Sequence, residues 1–436
     1  MFAYYVRMAL LSIRKNWWLS LLMVAAIALG IGVCMTIVTV NYIMGSDPIP
    51  QKSEVLHYVQ LDSWDPNDPY DEPNEPPDQL TYLDAMALMD AKAASRQTAT
   101  AGASMVLRPE DPDINPFLVS TRTSFADFFP MFDVPFLYGS GWSAEEDDNR
   151  SLVMVLSKET NERLFGGENS VGRTVSAGGH VFTIVGVIDD WDPIPRFYDV
   201  TTGPFNDVED TFVPFNLIVE LDLSRSGNTN CWKPTGDGVE AFLNSECIWI
   251  QFWAELPDPT AQREYLSYLD QYVTEQKALG RFERPLNNRI SDVNAWLDNQ
   301  QVVQDEARIL LVVAVLFLAV CLLNTIGLLL SKYLSRAPEI GLRRALGASR
   351  SAIFTQYTIE SALIGVAGGV IGIAMTFIGL KGVRALFGEV VENLVHMDWV
   401  MVVSAVALAI VASILAGLYP AIRACNIQPA SQLKAQ

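Results

Sequence analysis

Four long apolar runs divide the chain at very unequal intervals. Leu19–Val40 carries no charge and only Ser20, Thr36 and Thr39 as polar residues. Ile309–Leu330 has only Asn324 and Thr325, Ser361–Leu380 is uncharged and rich in glycine, and Trp399–Leu418 is uncharged with Trp399 suited to an interface. A bilayer-spanning helix needs about 20 consecutive apolar residues. A buried core helix rarely runs that far without a charge, so the pattern predicts four membrane spans in a 1 + 3 arrangement. The first run has Arg7, Arg14 and Lys15 before it. It is nonetheless longer than the ~7–15-residue apolar region of a signal peptide, and no convincing small-x-small cleavage site precedes Asp47, so it is read as a retained helix. Residues 1–16, with Tyr4, Tyr5 and Trp17–Trp18 close by, read as a short helix lying at the interface.

The long interval between the first and second runs alternates instead. Val55–Leu61, Phe117–Thr121, Leu152–Leu156, Thr211–Phe215 and Ile248–Leu256 read as strands, and Thr174–Ser176 with His180–Ile188 as a hairpin turned by Gly178–Gly179. Leu80–Ser95, Ser124–Pro130, Lys158–Phe165 and Pro259–Leu279 read as helices. Asp62–Asp78 holds five prolines among acidic residues and reads as a surface loop. Ser291–Ala307 is expected to be helical and to run directly into the second span. The expected fold is therefore an α-helical integral membrane protein with a large extracytoplasmic α+β domain of two subdomains. Its segments are 1–45, then 46–306 with an insertion around 136–245, then 307–436.

Charge follows this division. From Ser46 to Asp305 there are 44 Asp/Glu against 17 Lys/Arg, a net of −27, while the remainder carries +7. Nucleic acid is an improbable partner for so acidic a block, because phosphate binding needs clustered Lys/Arg. Short-loop basic residues set orientation. Arg7, Arg14 and Lys15, then Lys332, Arg336, Arg343, Arg344 and Arg350, then Arg423 and Lys434 all fall on one side. That side is read as the cytoplasm, with both termini in it. The acidic block and the loop with Glu389, Glu392 and Asp398 fall outside, with Lys381 and Arg384 as exceptions. Cys34, Cys321 and Cys425 belong to the spans or their ends. Cys231 and Cys247 lie in the outer block, where an oxidising compartment permits a disulfide; two buried free thiols are the alternative.

The most specific stretch joins the second and third runs, Arg336-Ala-Pro-Glu-Ile-Gly-Leu-Arg-Arg-Ala-Leu-Gly-Ala-Ser-Arg350. Pro338 interrupts the preceding helix, Glu339–Leu346 form a short basic amphipathic helix, Gly347 permits reversal, and Ser349 can cap the next helix. The plain alternative is a basic loop that obeys the positive-inside rule. This stretch resembles the signature of the MacB/FtsX-like permease family of ABC transporters, matched here by Glu339, Ile340, Gly341, Arg343, Gly347 and Ala348. Glu360 and the series Gly365, Gly368, Gly369 and Gly372 resemble the family's third span, and Gly417–Arg423 with Gln428-Pro-Ala its ending. Asn161–Arg173, Val181–Ile188, Ser124–Phe129 and Tyr138–Gly141 resemble the MacB periplasmic core domain. Asp189–Asn230 is less typical.

The resemblance implies that Glu339, Gly341, Arg343, Arg344 and Gly347 couple the chain to an ATPase. Gly365 and Gly369 form a small-xxx-small pair for close helix packing. No Gly-x-x-x-x-Gly-Lys-Ser/Thr phosphate loop occurs. ATP and Mg2+ are thus expected in a separate ABC ATPase subunit, with no cofactor and no catalytic residue in this chain. The implied partners are that ATPase, a second permease (identical or paralogous), a periplasmic adaptor, an outer-membrane channel and membrane lipid. The implied function is efflux of an antimicrobial compound or peptide, moved on the periplasmic side of the bacterial inner membrane rather than carried through the bilayer core. Lipoprotein release and FtsX-like signalling to a cell-wall hydrolase are alternatives. Asp189-Asp190-x-Asp192 and Glu145–Asp148 are more often solvated loops than cation sites. His57, His180 and His396 stand singly, without metal-ligand spacing.

Overall fold

The computed structural model describes residues 2–109, 114–303, 305–387 and 399–425. In chain order the main elements are α1 (Phe2–Lys15), α2 (Trp17–Met44), β1 (Leu56–Gln60), α3 (Tyr82–Ala91), β2 (Arg96–Arg108), β3 (Phe117–Ser124), β4 (Phe136–Gly139), β5 (Val153–Leu156), β6 (His180–Ile188), β7 (Thr211–Pro214), β8 (Cys247–Glu255), α4 (Pro259–Ala278), β9 (Arg289–Asp292), α5 (Asp305–Leu334), α6 (Ala337–Ala345), α7 (Arg350–Phe387) and α8 (Trp399–Cys425). They form two compact units: Ser46–Val302, and Met1–Gly45 together with Val303–Gln436.

The outer unit is built on one mixed sheet of order β9-β1-β8-β2-β3-β7-β5-β6-β4. Its pairs are antiparallel except β3 with β7 and β5 with β6. The 13-residue strand β2 was not apparent in the sequence, because its inward positions are mostly small. Ala99, Ala101, Ala103, Met105 and Leu107 alternate into the core and are all buried. That period of two is the strand signal, carried by residues with little β-propensity. On this core pack Leu88 of α3 and Tyr265, Leu269 and Val273 of α4. A second apolar cluster gathers Tyr58, Phe128, Phe132, Phe212, Trp253 and Trp296, with the Tyr58 and Trp296 rings stacked at 3.7 Å.

Several expectations hold in detail. The Gly178–Gly179 hairpin forms, with φ of 58° and 88° at the two glycines, the positive pair that a two-residue turn between twisted strands needs. The disulfide Cys231–Cys247 is formed, joining residues that face each other across two antiparallel strands. Others are corrected. Ser291–Ala307 is not one helix: β9 leads into a short helix, Val293–Asn299, capped by the Asp292 carboxylate on the Ala295 amide at 2.8 Å. Gln301, at φ 49°, then breaks the chain before α5. In Leu80–Ser95 the first two residues join the sheet against β8, and the Thr81 hydroxyl caps α3 by accepting from the Asp84 amide at 3.1 Å.

The proline-rich loop is tied down rather than free. Gln60 donates to the Pro76 and Pro77 carbonyls at 3.3 and 3.2 Å. Arg284 donates to those of Asp65 and Pro73 at 3.2 and 2.9 Å.

The atypical segment 189–230 supplies β7 and half of a buried charge network. Arg122 on β3 donates through Nε to Glu209 at 3.0 Å and through Nη2 to Asp199 at 2.5 Å. Arg196 reaches Glu209 at 3.1 Å, the Tyr198 hydroxyl donates to Glu209 at 2.9 Å, and Gln251 donates to Asp199 at 3.0 Å. All of these residues are buried. Burial alone would raise the two carboxyls; Arg122 and Arg196 instead hold both below the usual carboxylate range.

In the other unit, α2, α5 and α7 are each long and apolar enough to cross a bilayer. α8 is a helix from Trp399 to Cys425, of which Ile410–Arg423 is a shorter apolar stretch within the described residues. Close packing rests on glycine. A Cβ on Gly368 would lie 2.6 Å from Ile27, one on Gly372 3.0 Å from Ile31, and one on Gly32 2.7 Å from Met375. α2 and α7 therefore touch backbone to side chain along their length. Gly365 and Gly369 are also buried on α7. The loop with Glu389, Glu392 and Asp398, and the residues Gln428–Ala430 and Lys434, lie outside the described residues.

Candidate functional site

The segment between α5 and α7 folds as the sequence suggests. Pro338 stands in the first turn of α6, where its missing N–H costs nothing. Gly347 takes φ 100° to reverse the chain, and the Ser349 hydroxyl caps α7 by accepting from the Ala352 amide at 3.1 Å. The predicted span Glu339–Leu346 is shifted by one or two residues to Ala337–Ala345, as helix ends commonly are.

The two faces of α6 differ in use. Ala337, Ile340 and Gly341 are buried against the rest of the unit. Arg343 is held in place by Glu339 at 2.6 Å and Gln356 at 3.1 Å. Arg344 donates to the Cys425 carbonyl at 3.2 Å. Both arginines are half-buried and anchor the helix to α7 and α8. The outward face is instead Pro338, Glu339, Leu342, Ala345 and Leu346, with Leu342 56% and Leu346 80% exposed. Sequence reasoning singled out the arginines and passed over these leucines. Their i, i+4 spacing opposite Ile340 and Gly341 was the available signal.

Beneath α6 lies a fully buried ion pair. Lys332 at the end of α5 meets Glu360 of α7 at 2.6 Å, and both side chains are completely enclosed. Sequence reasoning took Lys332 for one of the orienting charges and Glu360 for a family match; their pairing across nearly thirty residues left no local pattern.

Four of the carboxylate candidates of the outer unit, Asp189, Asp190, Glu146 and Asp147, are engaged with the protein itself. Asp189 and Asp190 receive Lys158 at 3.0 and 2.7 Å. Glu146 closes a capping box with Ser143 at 2.7 Å. Asp147 is buried, accepts from the Ala126 amide and the Trp142 indole at 2.7 and 2.8 Å, and is pushed up to about 7 by desolvation.

Comparison with known proteins follows the two units. Residues 20–264 match the model of the MacB-like periplasmic core domain, and residues 311–429 that of the FtsX-like permease C-terminal. Among curated relatives, the probable syringafactin export ATP-binding/permease protein SyfD of Pseudomonas syringae pv. tomato is 24% identical over 81% of this chain and 47% of its own length. The macrolide export ATP-binding/permease protein MacB of Wolinella succinogenes is 26% identical over 73% of this chain and 44% of its own. The chain thus spans about half the length of the curated relatives it matches. Among solved structures, the periplasmic region of MacB from Actinobacillus actinomycetemcomitans aligns with 59% of this chain and 96% of its own, at 13% identity and a TM-score of 0.37.

Proposed function

Because this chain belongs to the MacB-like periplasmic core domain family, with an FtsX-like permease segment after it, we propose that it is the permease subunit of an ABC transporter whose α6 docks on a separate ATPase. In this reading α8 joins α2, α5 and α7 as the fourth span, both termini are cytoplasmic, and Ser46–Val302 is periplasmic. ATP and Mg2+ bind in the partner ATPase. A second permease completes the pair, and motion passed to the outer domain drives efflux of an antimicrobial compound or peptide through an adaptor and an outer-membrane channel. The export names carried by the relatives support efflux over lipoprotein release or signalling.

The observation that carries this reading is the outward face of α6. Two leucines, at 56% and 80% exposure, stand on a short helix between two long apolar helices and next to basic residues. Apolar side chains presented by a helix anchored from behind suit a groove on another protein. Arg343 and Arg344 then act as anchors that fix the helix, rather than as its contact surface.

The test is copurification from detergent. Leu342→Glu with Leu346→Glu alters only exposed positions, so insertion and thermal midpoint should hold while ATPase association falls at least tenfold. Arg343→Glu with Arg344→Glu should loosen α6 and weaken association less directly. A leucine double variant that inserts and still retains a fully active ATPase refutes the docking role.

A further inference from the structure

Around the buried ion pair runs a continuous chain of hydrogen bonds. The Ser20 hydroxyl on α2 donates to the Asn16 carbonyl between α1 and α2 at 3.1 Å and accepts from Lys332 Nζ at 3.0 Å. Lys332 meets Glu360 Oε1 at 2.6 Å. The same oxygen accepts from the Ser12 hydroxyl of α1 at 2.6 Å. Ser12 in turn accepts from Arg336 Nη1 at 2.6 Å, and its carbonyl accepts from Arg336 Nη2 at 3.3 Å. Arg336 is the residue from which α6 begins. One lysine, one glutamate, one arginine and two serines thus join α1, α2, the end of α5, the root of α6 and α7.

An ordinary packing role does not account for this arrangement. Replacing a buried ion pair with apolar residues of similar size is often neutral or stabilising for folding, and the surrounding helices already pack through glycine contacts. Apolar contacts, however, are non-directional. Charge-assisted hydrogen bonds in an enclosed site neither stretch nor reorient cheaply. Glu360 Oε2 finds no hydrogen-bond partner among the described residues, so both contacts of this carboxylate, to Lys332 and to Ser12, run through Oε1.

We propose that Lys332 and Glu360 are positioning residues that lock the root of α6 to α1 and α2, so that displacement of α6 moves those helices as one body. This rests on the docking reading above. Neither residue touches the partner; each acts by holding Ser12, Ser20 and, through Ser12, Arg336.

The test replaces the pair by an apolar one, Lys332→Met with Glu360→Leu, in the full chain in lipid nanodiscs. Spin labels go on cysteines introduced at Leu11 of α1 and Leu346 beyond α6, both exposed. Cys34, Cys321 and Cys425 are buried and Cys231–Cys247 is closed, so labelling is selective. The double variant should keep its thermal midpoint while the label–label distance distribution broadens at least twofold. Lys332→Arg, which keeps the cation, should restore the narrow distribution. If the double variant fails to insert, Glu360→Gln makes the same comparison with the side-chain shape retained. A distribution as narrow as wild type in the inserted apolar variant overturns the proposal. A second arm uses the ATPase that copurifies with wild type. The apolar variant should retain it within twofold yet lose at least tenfold of the permease-dependent hydrolysis rate, and an unchanged rate counts against the joint. Failure of wild type to retain any ATPase sinks the docking reading alone; the distance distribution still decides the joint.

Discussion

Arg122→Met tests the buried network of the outer unit. The wild-type cluster balances two guanidinium groups, Arg122 and Arg196, against two carboxylates, Asp199 and Glu209. Removing Arg122 leaves one cation for two enclosed anions and strips Asp199 of its 2.5 Å partner, with Arg196 remaining 3.9 Å away. Deleting one member of a buried pair costs about 3–5 kcal/mol, because the other charge stays desolvated. For a unit of this size each kcal/mol shifts Tm by roughly 2–4 °C, so a fall of about 10 °C is expected for the outer unit. Trp253, whose indole donates to the Tyr198 carbonyl at 3.3 Å, is one of the tryptophans whose fluorescence follows it in the full detergent-solubilised chain. The pH dependence has a definite sign. Both carboxyls are held low in the folded state, so their stabilisation is present above the unfolded value of ~4 and is lost as pH falls through the folded values. In the variant, protonation relieves an unpaired anion, and the deficit should shrink between pH 7 and pH 4. Adding Glu209→Gln restores one cation to one anion and should recover at least half of the loss. A Tm within 2 °C of wild type, or no recovery in the double variant, refutes the account.

Two further predictions concern other parts of the chain. Asp147, raised to about 7, and Asp78, raised to about 6, hold protons in the folded state that the unfolded chain has already lost. Outer-unit stability should therefore fall as pH rises from ~4 to ~7; Asp147→Asn should remove more than half of that slope in thermal scans across pH, and an unchanged slope contradicts the assignment. Gly368→Leu should lower the detergent thermal midpoint, since overpacking costs about 1–3 kcal/mol, whereas Gly382→Leu, where a Cβ would meet nothing within 4 Å, should not; equal effects would mean that side-chain bulk, not the α2 contact, is being read.

The long apolar runs and the Pro–Gly boundaries of α6 were legible because they depend on local sequence alone. Three helices answer to them directly, and the turn at Gly178–Gly179 and the cap at Ser349 fell where their chemistry requires. Strand β2 was hidden because Ala99, Ala101 and Ala103 mark the inward face with methyl groups instead of branched chains. The segment 189–230 looked unplaced because its anchors, Asp199 and Glu209, find Arg122 on a strand some eighty residues earlier, and no periodicity encodes that. In α6 the direction of the side chains was not legible: Arg343 and Arg344 turn toward Gln356 and the Cys425 carbonyl, which only tertiary packing could place beside them.

The outer sheet ends on β9 beside β1, with Tyr58 opposite Ser291. The first and last strands of this unit are therefore antiparallel neighbours at one edge, although they are more than two hundred residues apart in sequence. An insert whose ends meet can be exchanged as a cassette: a different domain with adjacent termini could be spliced between the first apolar helix and the rest without rethreading either. The same closeness makes the β1–β9 seam the natural place to circularly permute the unit, cutting elsewhere and joining the original ends with a short linker.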